Sequence, residues 1–136
     1  MSVDENKALI RQFNEMAFNQ RNVEARDGFL GPRFAINGKI VDPAQARRNF
    51  VGLLAAFPDF HRSMEDIIAE GDKVVARYTA TGTQQGEFMG IPPTGKRVTF
   101  GWITIYRIAA GKVAEEWLVF DQLSLMRQIG AVRLRE

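Results

Sequence analysis

Residues 90–108 read GIPPTGKRVTFGWITIYRI, and two folds compete for them. Gly90 and Gly95 followed by Lys96 reproduce the G-x-x-x-x-G-K spacing of a phosphate loop, which would place the chain among nucleotide-binding α/β proteins. Such a loop turns successive backbone N–H groups on the phosphates, puts Ser or Thr after the lysine for magnesium, and opens a helix there. Here Arg97 follows the lysine, and Pro92 and Pro93 remove two donors. The run VTFGWITIYRI is rich in β-branched and aromatic residues and predicts a strand. The nucleotide reading therefore fails, and the segment becomes a loop feeding a long strand.

Outward from that strand, the chain divides into a helical half and a β half. Downstream, Ala110-Gly111 predicts a turn, KVAEEWLVF the last strand, and LSLMRQIG a short closing helix with Gly130 as its cap. Upstream, HRSMEDIIAE and KVVARYTATGT flank Glu70-Gly71-Asp72 as a hairpin. Before Pro58 the period changes to helical. Asp42-Pro43-Ala44-Gln45 starts a helix carrying Ala46, Phe50, Leu53 and Phe57. Asn37-Gly38 sits between short β-prone runs, the pair favoured in a type I′ turn. A short helix follows Asn22, with Phe29 and Leu30 on its apolar side, and Ser2 with Glu5 forms a capping box for a first helix through Ile10, Phe13 and Ala17. Three early helices and a late meander make one α+β domain spanning residues 1–136.

Composition narrows the function. A net charge of +2 without a basic run gives no nucleic-acid groove; the one loose cluster is Arg127, Arg133 and Arg135. No cysteine means no disulfide, thiol nucleophile or thiolate metal site, and a single histidine argues against a histidine-based metal centre. Asp59, Glu65 and Asp66 lack helical metal-ligand spacing and read as solvated. No apolar run reaches membrane-spanning length. The expectation is a soluble cytoplasmic protein with no metal, no cofactor, no nucleic acid and no membrane partner.

The strand faces say more. In VTFGWITIYRI one face holds Val98, Phe100, Trp102, Thr104 and Tyr106, and the other holds Ile103 and Ile105; in the last strand Trp117 and Val119 oppose Leu118 and Phe120. A sheet with a solvated back alternates apolar with polar. This one is apolar on both sides, which predicts helices around a cavity on one face and a second subunit on the other, a homodimer; the alternative is one continuous monomeric core.

The run from Phe57 to Gly130, with GEFMGIPPTGK and GK-x-x-E-x-W-x-x-x-D at the expected spacing, resembles the SnoaL-like polyketide cyclase family of the nuclear-transport-factor-2-like superfamily. The resemblance implies a cone-shaped α+β barrel: three N-terminal helices packed on a curved, mostly antiparallel sheet that encloses a pocket. It also implies a dimer through the outer face of the sheet. GIPPTGK would then be the tip of a long connection stiffened by its prolines. The name-giving cyclases close rings by an intramolecular aldol condensation without metal or cofactor. Their catalytic aspartate falls on Leu118, a histidine on Glu116, and a glutamine and histidine on Trp102 and Thr104.

Glu116 and Asp121 are thus the candidate proton carriers. Glu116 beside apolar neighbours would have a raised pKa suited to acid/base work, or would be a carboxylate at the sheet rim. Asp121 matches a recurrent family aspartate, and equally an N-cap where strand passes into helix. Trp102, Thr104, Leu118, Tyr78, Phe13, Phe50 and His61 are the candidate ligand contacts, with Ala17, Leu54, Phe88 and Met89 as core and apolar pocket wall. His61 could titrate at the site or stand on the surface. Arg77 and Tyr78 share a strand, so only one can face the cavity. Two functions remain open: a cofactor-free cyclase or isomerase acting on a small, largely apolar carbonyl compound, and a non-catalytic small-ligand-binding dimer that has lost the cyclase aspartate. An epoxide hydrolase of Asp-Arg-Asp type lacks a matching set of inward partners.

Overall fold

The computed structural model describes residues 1–133 and 135. Helix α1 (Val3–Phe13) starts in the expected capping box: the Ser2 hydroxyl accepts from the Glu5 N–H, and the Glu5 carboxylate from the Ser2 N–H. It continues as a π-helical turn, Asn14–Asn19, in which the Gln20 N–H reaches back five residues to the Glu15 carbonyl. Arg21, at φ 59°, ends it. Asn22 caps α2 (Val23–Phe29), and Asp42 caps α3 (Pro43–Ala56). At α3 only half of the expected box forms, because the Gln45 side-chain oxygen accepts from Arg48 instead of from the cap N–H, while its amide nitrogen donates to Asn49.

Six strands form one mixed, open sheet: β1 (Leu30–Ile36), β2 (Lys39–Ile40), β3 (His61–Glu70), β4 (Lys73–Thr83), β5 (Arg97–Ala109) and β6 (Lys112–Phe120), in the order β2-β1-β6-β5-β4-β3. β3 to β6 run as an antiparallel meander, and β1 lies parallel to β6. Asn37 and Gly38 both take positive φ between β1 and β2, as a type I′ turn requires. A short fourth helix, α4 (Gln122–Gln128), closes the chain. The expected cone is therefore present but not closed into a barrel, since β2 and β3 remain edges.

The helices lie on one face of this sheet. Ile10, Phe13, Ala17, Phe50 and Leu54 are buried against Val74, Tyr78, Val98, Phe100, Trp102 and Tyr106. Met89, placed by the sequence in the wall, is instead exposed at a loop tip with positive φ, and Phe88 stacks edge-on against Phe57. The loop that imitates a phosphate cradle is organised from within by Gln84, which is wholly buried. Its amide nitrogen donates to the carbonyls of Gly86, Ile91 and Pro92, and its carbonyl accepts from the Thr94 hydroxyl. Gly86 is needed there: a Cβ would meet the Ala55 carbonyl oxygen at 2.7 Å.

Candidate functional site

A cavity of about 570 Å³ opens between α3, the β1–β2 hairpin and the inner face of β5 and β6. Phe13, Phe18, Phe50 and Leu53 wall it from the helices, and Trp102, Leu118 and Phe120 from the sheet. Lys39, Asp42, Gln45 and Asn49 add exposed polar groups from β2 and α3. Among these apolar walls stand two charged groups, Glu116 and the buried Arg26.

A β-bulge puts Glu116 there. Ile108 pairs with Val113, Arg107 with Glu115 and Tyr106 with Glu116, so Ala114 is the extra residue. Val113 faces the core; unbroken alternation would next turn Glu115 and Trp117 inward. The inserted residue reverses the parity. Glu115 swings out to pair with Arg107 at 3.2 Å, and Glu116 and Leu118 enter the cavity. The Asn37 side chain accepts from the Leu118 N–H at 2.9 Å and locks that register to the hairpin turn.

The Glu116 carboxyl has no hydrogen-bond partner among the described residues. Burial raises its pKa from 4.5 to about 7, against the opposing fields of Arg62 and then Arg26. It can therefore hold or release a proton near neutrality. Arg62, on β3, is 1% exposed. Two asparagines of the π-turn clamp it: Asn14 accepts from its Nε at 2.7 Å and donates to its carbonyl, and Asn19 bonds both its N–H and its carbonyl. Its guanidinium carbon lies 3.6 Å from the ring centre of Phe18 and 3.8 Å from that of Tyr78, a cation between two aromatic faces. Tyr106 accepts from Arg62 at 3.4 Å and bonds Tyr78 hydroxyl to hydroxyl at 2.7 Å. Burial drives both phenols up in pKa, so they stay neutral donors.

Of the sequence-predicted residues, Glu116, Trp102, Leu118, Phe13 and Phe50 meet at this one cavity. Thr104 sits behind the wall and accepts from the Trp102 indole N–H at 3.2 Å, fixing that ring. Tyr78 is the inward member of its pair but lies beneath the lining, while Arg77 points out to Asp66. Two placements need correction. His61 is exposed, bonded to Ser63, because Arg62 takes the inward parity at the start of β3. Asp121 is exposed as the N-cap of α4, accepting from the Ser124 N–H at 3.0 Å, and adjoins Val119 and Ile103 on the far side of the sheet. Neither touches the cavity.

Arg26, Arg62, Asn14 and Asn19 are the polar groups that the sequence reading passed over. Arg26 had a signal: it falls three residues after Val23 and three before Phe29, a charge at apolar helical spacing. Arg62 had one only through Tyr78, whose inward orientation fixes the parity of its neighbours. Among the described residues no cluster of three His, Cys, Asp or Glu side chains could hold a metal, and no helix is long and apolar enough to cross a membrane.

Residues 8–129 match the family model described as SnoaL-like polyketide cyclase. Among solved structures, AclR from Streptomyces galilaeus, provisionally a hydroxylase, is 33% identical with a TM-score of 0.89, covering 99% of this chain and 91% of its own. TsrD from Streptomyces laurentii is 30% identical with a TM-score of 0.87, over 97% and 99% of the two chains. IdmH from Streptomyces antibioticus, provisionally a polyketide cyclase, is 28% identical with a TM-score of 0.80, over 92% and 98%. A search of curated proteins found no match.

Proposed function

The chain belongs to the SnoaL-like polyketide cyclase family, and from that premise we propose that it binds a small, largely apolar carbonyl compound and moves a proton on it through Glu116, without a cofactor, in a cyclisation or isomerisation. The observation that carries this reading is the Glu116 carboxyl: unpartnered, facing an aromatic cavity, and poised near pH 7. In the reaction a C–H bond next to the carbonyl breaks, its electron pair moves into the carbonyl as an enolate, and the proton passes to Glu116. For ring closure the enolate carbon bonds a second carbonyl carbon of the same molecule, and Glu116 returns the proton to the alkoxide so formed. For isomerisation it returns the proton to a different carbon. The step assigned to Glu116 in either outcome is proton removal and return.

The test is exchange of α-hydrogens for deuterium in aryl β-keto esters, followed by NMR in D2O. Wild-type protein should catalyse it, and Glu116→Gln should lose roughly 10²-fold or more, the usual worth of a positioned acid or base, with probe affinity retained. Equal exchange by both proteins removes Glu116 from the role. One feature favours the alternative, a binding protein without turnover: Leu118, hydrocarbon on the cavity wall, stands where the resemblance places the cyclase aspartate. Binding of the same esters with no exchange by wild-type protein would select that reading. The same proposal includes a cytoplasmic setting and a homodimer through the outer sheet face, where Ile103, Ile105, Trp117 and Val119 are exposed together.

A further inference from the structure

Two desolvated cations act through their fields on one carboxyl. Arg62 touches no carboxylate among the described residues, and Arg26, 7% exposed, has only Asp27, 3.5 Å away on the surface and held more closely by Arg47. With Glu116 ionised the buried balance is two positive charges against one negative. Once Glu116 has taken a proton, nothing inside opposes either cation. Unbalanced buried charge is costly unless a partner arrives. Arg62 is sealed between Phe18 and Tyr78 and acts only through its field, whereas Arg26 stands in the cavity wall beside the Phe50 ring, 4.9 Å from the guanidinium carbon to its centre.

We propose that Arg26 is the ligand's anion partner: the substrate class is an aromatic 1,3-dicarbonyl compound, and the delocalised enolate that forms as Glu116 takes its proton binds the Arg26 guanidinium while its ring lies among Phe50, Trp102 and Phe120. This deepens the proton-transfer reading and rests on the same cavity. A guanidinium suits it because its planar N–H fork bonds two oxygens of a conjugated enolate, as it does a carboxylate.

The experiment compares two near-isosteric probes by calorimetry: 2-phenylindane-1,3-dione, an enolate at neutral pH, and 2-methyl-2-phenylindane-1,3-dione, which cannot form one. Wild-type protein should bind the enolate about tenfold or more tightly, as expected for a charge-assisted bond formed away from water. Arg26→Gln should abolish that preference while holding the neutral probe within about twofold, the neutral probe reporting that the cavity is intact. Arg26→Lys should keep part of the preference, and Glu116→Gln should bind the enolate more tightly because a competing negative charge is gone. Equal affinity of wild-type protein for the two probes overturns the inference without reference to any variant; so does an undiminished preference in Arg26→Gln. Enolate preference without deuterium exchange would keep the anion site and remove the base, and exchange without preference would do the reverse.

Discussion

The two faces of the β5–β6 ribbon are built from alternate residues of the same two strands, yet they differ in chemical character. Inside, Trp102, Thr104 and Tyr106 face Phe120, Leu118 and Glu116; outside, Ile103 and Ile105 face Val119 and Trp117. The inner face mixes aromatic rings with titratable groups that hold one another in place. The outer face is plain hydrocarbon, with Trp117 49% and Val119 69% exposed, bordered by the ion pairs Arg77–Asp66 and Arg107–Glu115. An apolar patch with a charged rim is the anatomy of a protein interface. The difference teaches that one ribbon can pair a face suited to the proposed chemistry with a face suited to the proposed docking.

The largest expected contrast is between two carboxylates. Glu116→Gln should remove roughly 10²-fold or more of the deuterium exchange. Asp121→Asn, on the far side and still able to cap α4, should change it less than about twofold; a large loss there would erase the distinction between the faces.

Stability should divide the same way. Asn14→Ala leaves the Arg62 guanidinium without its 2.7 Å acceptor and should cost about 2–4 kcal/mol in urea unfolding. Val119→Lys, on the outer face of β6, should cost under about 1 kcal/mol. It should also leave a monomer of 15.3 kDa by light scattering where the wild-type chain gives twice that mass. A wild-type mass of 15.3 kDa would refute the docking role of the face.

A finer probe is pH. Burial raises the Glu116 pKa from 4.5 to about 7, so the folded chain holds that proton more tightly than the unfolded one. The stabilisation is complete below about pH 4.5 and is lost as pH climbs through 7, up to about 3 kcal/mol before cavity water screens it. Glu116→Gln should accordingly gain about 1–3 kcal/mol over wild type at pH 8 and nothing at pH 4. Exchange by the wild-type protein should rise over the same interval as the base ionises. A stability difference independent of pH would place Glu116 in water.

Much of this architecture was legible in the residues because it rests on local chemistry. Capping residues marked α1, α2 and α3, Asn37-Gly38 marked the hairpin, and alternation over VTFGWITIYRI separated the faces of β5 correctly. What escaped depends on partners distant in sequence. Arg62 becomes a buried cation only because Asn14 and Asn19, 48 and 43 residues away, converge on it. The bulge at Ala114 leaves no mark in KVAEEWLVF, and Glu116 reached the cavity in the reading through the resemblance, not through alternation from Val113. His61 was chosen for its chemistry when its neighbour held the inward position.

Strand order carries a last consequence. β1 has β2 beside it at once, but its other neighbour is β6, the final strand made, so some eighty residues must emerge from the ribosome before the hairpin joins the rest of the sheet. Strands β3 to β5 of the meander can pair earlier, from contacts close in sequence. The chamber is thus the last part of the molecule to come into being, and a nascent chain stalled before Glu116 would have a half-built sheet and nowhere to hold a guest.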